Sequence, residues 1–273
     1  MPIDPQIAAL FANAPEWPPT RSQPIPQLRA AVRASSTAFP KLEVPLASIV
    51  DRTIPGPAGA IPVRVYTPAG SGPFPLICYF HGGGYVTGDL DTQDMIARAL
   101  AFGAGAVLVS VDYRLAPENP FPAGPDDCWA ATQWVAAHAA ELNGDAARLA
   151  VAGDSAGANF AAGVALRARD AGAPRIAAQI MFYGSCDYPS TETPASREFA
   201  NGPLLSADDV AYFWELYLRH PETEQNDPIA SPMRAASHRG LPPAFMGTAE
   251  IDPSRDHGET YIRKLAEAGV RTQ

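Results

Sequence analysis

Three short blocks of the chain carry residues suited to chemistry. Gly153-Asp154-Ser155-Ala156-Gly157 follows the apolar run Leu149–Ala152 and opens an Ala/Gly-rich stretch. A serine in a tight strand-to-helix turn is exposed as a nucleophile, and nearly side-chain-free neighbours keep strand and helix from colliding. The helix N-terminus also favours negative charge developing beside the serine. As a bare string the pattern is common and fits a plain strand–helix turn. Its place after a strand and before a helix makes Ser155 the candidate nucleophile.

The second block is His81-Gly82-Gly83-Gly84, directly after the apolar run Leu76–Phe80. Acyl transfer develops an oxyanion, which preorganised backbone N–H groups stabilise by roughly 3–4 kcal/mol per donor. Gly83 and Gly84, with the N–H of Ala156, are the candidate donors. The competing readings are a flexible loop or a phosphate cradle, but a phosphate loop would require Gly-Lys-Ser/Thr before a helix. His81 is expected to hold the loop by hydrogen bonding. The third block, Glu250-Ile251-Asp252-Pro253, offers Asp252 as a carboxylate able to orient an imidazole. Asp252 could equally cap the following helix, as Asx-Pro turns often do.

These blocks need a frame that brings them together. Short apolar runs at 76–80, 106–111, 148–153, 176–183 and 244–249 read as buried strands. Helices are predicted between and after them, over 92–102, 125–142, 155–171 and 255–268, with Gly269 as the residue that ends the last. Residues 44–54 and 61–67 read as a hairpin around Pro55–Gly59. Strand–helix alternation implies an α/β fold, a mostly parallel sheet with helices on both faces. Ligands then bind beyond the carboxyl ends of the strands, where all three blocks fall.

Residues 1–45 and 187–240 break this rhythm. The 29 prolines fall mainly in residues 1–75 and 187–243, and short helical stretches read near 5–13 and 26–36. Ser206-Ala207-Asp208-Asp209 is a capping signal for a helix running to about Arg219. Its apolar residues Val210, Phe213, Trp214, Tyr217 and Leu218 lie at helical spacing. That stripe suits ordinary packing, and is compatible with walling a pocket.

Composition narrows the function classes. The 273 residues, 47% hydrophobic and 18% charged with net charge -9, suit a globular enzyme and disfavour nucleic acid as a partner. No apolar run approaches the ~20 residues of a membrane-spanning helix, so membrane insertion is not expected. The start of the chain has no basic stretch followed by an apolar one, so a signal peptide is not expected. Cys78, Cys128 and Cys186 are too sparse for a disulfide framework or zinc site. A cytoplasmic setting and no metal are the resulting expectations, and a homodimer stays open.

The blocks HGGG, Asp112-Tyr113-Arg114-Leu115-Ala116-Pro117-Glu118, GDSAG and Asp252-Pro253-Ser254-Arg255-Asp256, in this order and spacing, resemble the hormone-sensitive-lipase-like carboxylesterases. The likeness extends over essentially the whole chain. It implies an α/β-hydrolase core with a helical cap: an N-terminal cap arm (1–45), a first core part (46–186), a cap insertion (187–240) and a second core part (241–273). It also implies short- to medium-chain carboxylic esters as small-molecule substrates, and no cofactor. Ser155 and Asp252 match the family's nucleophile and acid, and Gly83, Gly84 and Ala156 its oxyanion hole. The 112–118 block looks like a loop that braces the site.

One member of the triad is missing from this match. A serine hydroxyl needs a neighbouring base, which the family carries on a histidine beyond the final strand. Residues 269–273 read as the start of that strand, so the last strand is expected to be incomplete and the catalytic histidine absent from residues 1–273. His138, His220, His238 and His257 are expected to be poor substitutes, His138 as a surface residue and His220 as the end of the 206–219 helix. The competing reading is therefore a non-catalytic or crippled small-molecule-binding homologue. An amidase, lactonase or acyltransferase using the same serine is a further rival. Without a completed last strand, the 244–249 strand is expected to present an exposed apolar edge.

Overall fold

The computed structural model describes residues 4–12, 18–37, 42–202 and 204–273; the expected arm around Pro15 and the end of its first helical stretch at Asn13 lie outside them. Seven strands form one sheet in the order β1-β2-β4-β3-β5-β6-β7. They are β1 (Leu46–Gly56), β2 (Gly59–Pro68), β3 (Phe74–Phe80), β4 (Val107–Val111), β5 (Gly144–Asp154), β6 (Ala178–Phe182) and β7 (Ala244–Gly247). β1 and β2 form the expected hairpin, and β2 pairs antiparallel with β4. From β4 onward every pairing is parallel.

Apolar content explains the central strands. All five residues of β4 are buried, as are the last five of β3 and the last six of β5. A parallel strand covered on both faces has no solvent side on which to alternate. One face is covered by α3 (Asp94–Ala104), which turns Ala97 and Ala101 onto Tyr66, Ile77, Tyr79 and Leu108. The other carries α4 (Ala123–Ala137) and α5 (Ala156–Ala171). The alanines and glycines of α5 let it lie close on the sheet, and twelve of its residues are buried.

Several predicted boundaries move. α4 starts at Ala123, two residues before Pro125, and ends at Ala137. Pro125 still lies in the first turn, where the missing N–H has no intrahelical acceptor to lose. Residues 138–143 are turns that bury Leu142. β6 and β7 are shorter than their apolar runs, because the sheet register, not hydrophobicity, sets where pairing stops. The β7 edge expected to be bare is partly paired. Ala244 N–H donates to Arg271 O (2.9 Å), Met246 N–H to Gln273 O (3.0 Å) and Gln273 N–H to Ala244 O (3.0 Å).

The N-terminal residues supply α1 (Pro5–Ala12) and α2 (Ile25–Thr37). Between β6 and β7 lie α6 (Pro194–Glu198), α7 (Ala207–Tyr217) and the short α8 (Pro221–Glu224), and α9 (Arg255–Glu267) follows β7. The capping box of α7 forms as the sequence suggested, with Asp209 N–H donating to Ser206 Oγ (3.0 Å) and Ser206 N–H to Asp209 Oδ2 (2.9 Å). Arg21 ties the arm to α7 through Glu215 (2.6 Å) and Asp208 (3.2 Å), and lies over the Tyr212 ring. Tyr85, Trp214 and Tyr217 form one aromatic cluster joining α7 to the core, with Tyr85 and Tyr217 stacked at 4.0 Å. All three cysteines are free and buried.

Candidate active site

Register places the three blocks side by side. Phe80 at the end of β3 pairs with Gly153, Asp154 at the end of β5 pairs with Phe182, and Phe182 pairs with Gly247. The loops that follow β3, β5 and β7 therefore leave the sheet at one rim. A cavity of about 520 Å³ opens there, lined by Gly83, Gly84, Ser155, Ala156 and Asp252, with Val210, Phe213 and Trp214 from α7. The α7 stripe thus does both things its spacing allowed: Trp214 and Tyr217 pack inward, and its cavity face forms a wall.

Ser155 sits at φ 50, ψ -120, between β5 and α5. A non-glycine residue there stores roughly 1–3 kcal/mol of strain that the surroundings must hold in place. The hold comes from Ser155 N–H, which donates to Phe182 O at 2.8 Å, and from Ser155 O, which accepts from Ala158 N–H at 3.1 Å. Gly157 touches the Phe80 and His81 backbone so closely that a Cβ would overlap it. Strand and helix meet here with no room for a side chain.

The loop after β3 is fixed from several sides. The Gly83 carbonyl accepts from Val86 N–H (3.1 Å), Thr87 N–H (2.9 Å) and Thr87 Oγ (3.0 Å). In a planar trans peptide the following N–H points the opposite way, so the Gly84 N–H turns away from Thr87. Neither the Gly83 nor the Gly84 N–H has a protein acceptor among the described residues. Gly83 is at φ 127 and Gly84 at φ 59, and a Cβ on Gly84 would overlap the Phe213 ring.

Asp154 is a brace that the sequence reading passed over. Its buried carboxylate accepts from Gly82 N–H at 3.0 Å and from the Tyr79 hydroxyl. Burial pushes its pKa up to about 6, against those bonds. The only hint was a carboxylate beside the serine at the end of an apolar strand. His81 takes the role expected of it. Its Nδ1 lies 2.7 Å from Gly82 O, its ring stacks on Tyr113 at 4.2 Å, and Tyr113 OH donates to His81 O at 2.6 Å. Burial lowers its pKa to about 4 and keeps it neutral. Tyr183, at φ 41, and Gln93 also line the cavity and were not anticipated.

Asp252 forms the turn that leads into α9 and also reaches the cavity. Its Oδ1 accepts from Ser254 N–H at 2.7 Å and its carbonyl from Arg255 N–H at 3.1 Å, which starts α9. Its Oδ2 has no protein partner among the described residues, and the residue lines the Ser155 cavity. Burial raises its pKa above the ordinary carboxylate value of 3.8, opposed by the Ser254 N–H and Arg255. A carboxyl whose folded-state pKa is raised binds its proton more tightly when folded, so its ionisation weakens the fold as pH rises through that interval. Asp252→Asn, which keeps an acceptor for Ser254, is therefore expected to gain melting temperature over the unaltered protein at pH 8 and to lose that advantage near pH 4. Melting curves at the two pH values check this; an equal difference at both would contradict it.

Among the described residues, no histidine lines this cavity. His138 is half-buried, stacked on Trp134 at 4.4 Å, and so is not the surface residue expected. α7 stops at Tyr217, and His220 precedes α8 instead of ending the longer helix. His238 packs against Tyr261 with its Nε2 3.0 Å from Pro232 O. His257 lines a separate, smaller cavity of about 240 Å³.

A mostly parallel sheet, a strained serine at a strand–helix elbow, a glycine loop and a carboxylate meet at one rim, the architecture of an α/β-hydrolase. A family model described as alpha/beta hydrolase fold matches residues 77–273. The chain is 44% identical to Carboxylesterase NlhH of Mycobacterium tuberculosis, covering 99% of this chain and 85% of the relative. It is also 44% identical to Esterase LipI of the same organism, over 88% of this chain and 76% of that one. The solved structure of a hyperthermophilic esterase from the archaeon Pyrobaculum calidifontis superposes with a TM-score of 0.91 at 37% identity, covering 100% of this chain and 88% of that one. The chain belongs to the hormone-sensitive-lipase-like esterases of the α/β-hydrolase family.

Proposed function

We propose that this esterase hydrolyses short- to medium-chain carboxylic esters through an acyl-enzyme on Ser155. The observation that carries the reading is the strained Ser155 facing the same cavity as Gly83, Gly84, Ala156 and Asp252. Ser155 Oγ attacks the acyl carbonyl carbon as its proton passes to a base. The resulting oxyanion accepts from the N–H groups of Gly83, Gly84 and Ala156, the last a first-turn donor with no intrahelical partner. Collapse expels the alcohol, and water then releases the acid. Asp252 would orient the base, an imidazole, through its open Oδ2; among the described residues, none lining the cavity supplies such a ring. Residues 1–45 and 187–240 are the cap in this reading, with Val32, Leu204, Val210 and Phe213 against the substrate. The cavity volume suits a modest acyl group plus its alcohol.

Labelling with a fluorophosphonate followed by peptide mapping tests the nucleophile, beside rates on p-nitrophenyl esters from acetate to dodecanoate. The label is expected on Ser155, with kcat/KM highest for butanoate or hexanoate. A label elsewhere sinks the assignment. Binding of these esters without any turnover would favour the non-catalytic, small-molecule-binding reading instead.

A further inference from the structure

Arg29 of α2 lies outside the cavity lining, yet it is built into the loop that follows β3. Its Nε–H donates to the Val86 carbonyl at 2.8 Å and its Nη2–H to the Ala116 carbonyl at 2.9 Å. Glu118 takes the rest of the guanidinium fork, at 3.0 Å and 2.7 Å. The second of the two loops is itself joined to the first, because Ala116 N–H donates to Tyr85 O at 3.0 Å. Arg29 is part-buried, and its planar fork fixes several acceptors at once in a way a lysine cannot.

The Val86 contact leads somewhere. The peptide whose carbonyl Arg29 holds is the one whose N–H, that of Thr87, donates to the Gly83 carbonyl at 2.9 Å. The Gly83 carbonyl belongs in turn to the peptide whose N–H is that of Gly84, a cavity-lining residue. The guanidinium thus stands at the head of two hydrogen-bonded peptide groups with aligned dipoles, and the Gly84 N–H is the tail. Hydrogen bonds in such a chain polarise one another, and a charged donor at one end strengthens the set.

We infer that Arg29 is a positioning residue for the oxyanion hole, fixing and polarising the Gly84 N–H through the Val86–Thr87 and Gly83–Gly84 peptides. The inference rests on the reading of Gly83, Gly84 and Ala156 as that hole. Because the Gly84 N–H matters most when negative charge has developed, loss of Arg29 acts on kcat and leaves ground-state binding nearly unchanged.

The test compares Arg29→Met with Arg21→Met in the full chain. Arg21 also docks the arm, on α7, but touches no carbonyl of the loop after β3. Arg29→Met is expected to lower kcat on a short p-nitrophenyl ester about tenfold, with KM within about twofold. Inhibition by a short trifluoromethyl ketone, whose serine adduct carries an oxyanion, should weaken by the same factor. Arg29→Lys should recover part of the loss, and Arg21→Met should stay within about twofold of the starting kcat. If Arg29→Met does not fold, Arg29→Gln is read by the same criteria. Unchanged kcat, a change confined to KM, or an equal loss in Arg21→Met overturns the inference. Ser155→Ala, run beside them, separates the two claims. Activity surviving in Ser155→Ala removes the underlying site assignment, whereas an inactive Ser155→Ala with unimpaired Arg29→Met removes only the role of Arg29.

Discussion

With an imidazole held at Asp252, Ser155→Ala is expected to reduce kcat on a short p-nitrophenyl ester by roughly ten-thousand-fold or more, the scale seen when a hydrolase loses its nucleophile. The fold should survive the change. Alanine removes only Oγ, and Ser155 is held through its backbone, by Phe182 O and Ala158 N–H. Alanine must still adopt φ 50, ψ -120, so the local strain persists and the melting temperature should barely move. Ser155→Gly separates the two effects. It is equally inactive, and it should be more stable by about 1 kcal/mol or more, because glycine occupies this region without a Cβ penalty. Steady-state rates with urea denaturation check both substitutions. A Ser155→Ala protein with undiminished turnover would remove the nucleophile assignment, and a Ser155→Gly protein with no gain would show that the elbow stores little strain.

The second large effect concerns the seam behind the serine. Gly157→Ala is expected to destabilise the protein by at least about 3 kcal/mol, since the new methyl would overlap the Phe80 carbonyl and sit close to that of His81. Those atoms are backbone in and just after β3, so relief would require moving the strand or the loop that carries Gly83 and Gly84. Activity should fall together with stability, through displacement of that loop. Gly103→Ala is the contrast. It lies in α3, where a new methyl would meet nothing within 4 Å, and the gain in helix propensity should stabilise by about 0.5–1 kcal/mol. Urea midpoints for the two variants, expected to move in opposite directions, check the argument. A Gly157→Ala midpoint equal to the starting one would show the seam to be loose.

Much of this was legible in the chain because the informative residues are local. The elbow, the glycine loop and Asp252 each declare themselves within five residues, and each follows an apolar run short enough to be a buried strand. The parallel sheet then brings them to one rim by its register. What stayed hidden depends on partners distant in sequence. Asp154 meets Gly82 across 72 positions and Arg29 meets Val86 across 57, and no periodicity encodes either contact. The arm's composition suggested a cover but not the arginines by which it is fastened. The boundaries that moved did so for related reasons: hydrophobic runs mark what is buried, while pairing between neighbouring strands decides where a strand ends. For α7 the apolar stripe could not say which of its residues would face the core and which the cavity. Its position over Gly84 settles that.

The three buried thiols give the molecule a built-in clock for its own opening. Cys78 lies in the centre of the sheet, Cys128 on α4, and Cys186 just beyond β6, where its carbonyl accepts from Met233 N–H at 2.9 Å. Burial pushes the Cys78 thiol up to about 12 and raises the other two above the usual thiol value as well, so each is both shielded and protonated in the closed state. A thiol reagent at neutral pH can react only during excursions that expose them. The order in which the three are trapped then tells whether the segment after β6 breathes separately from the sheet, or the whole molecule opens in one step.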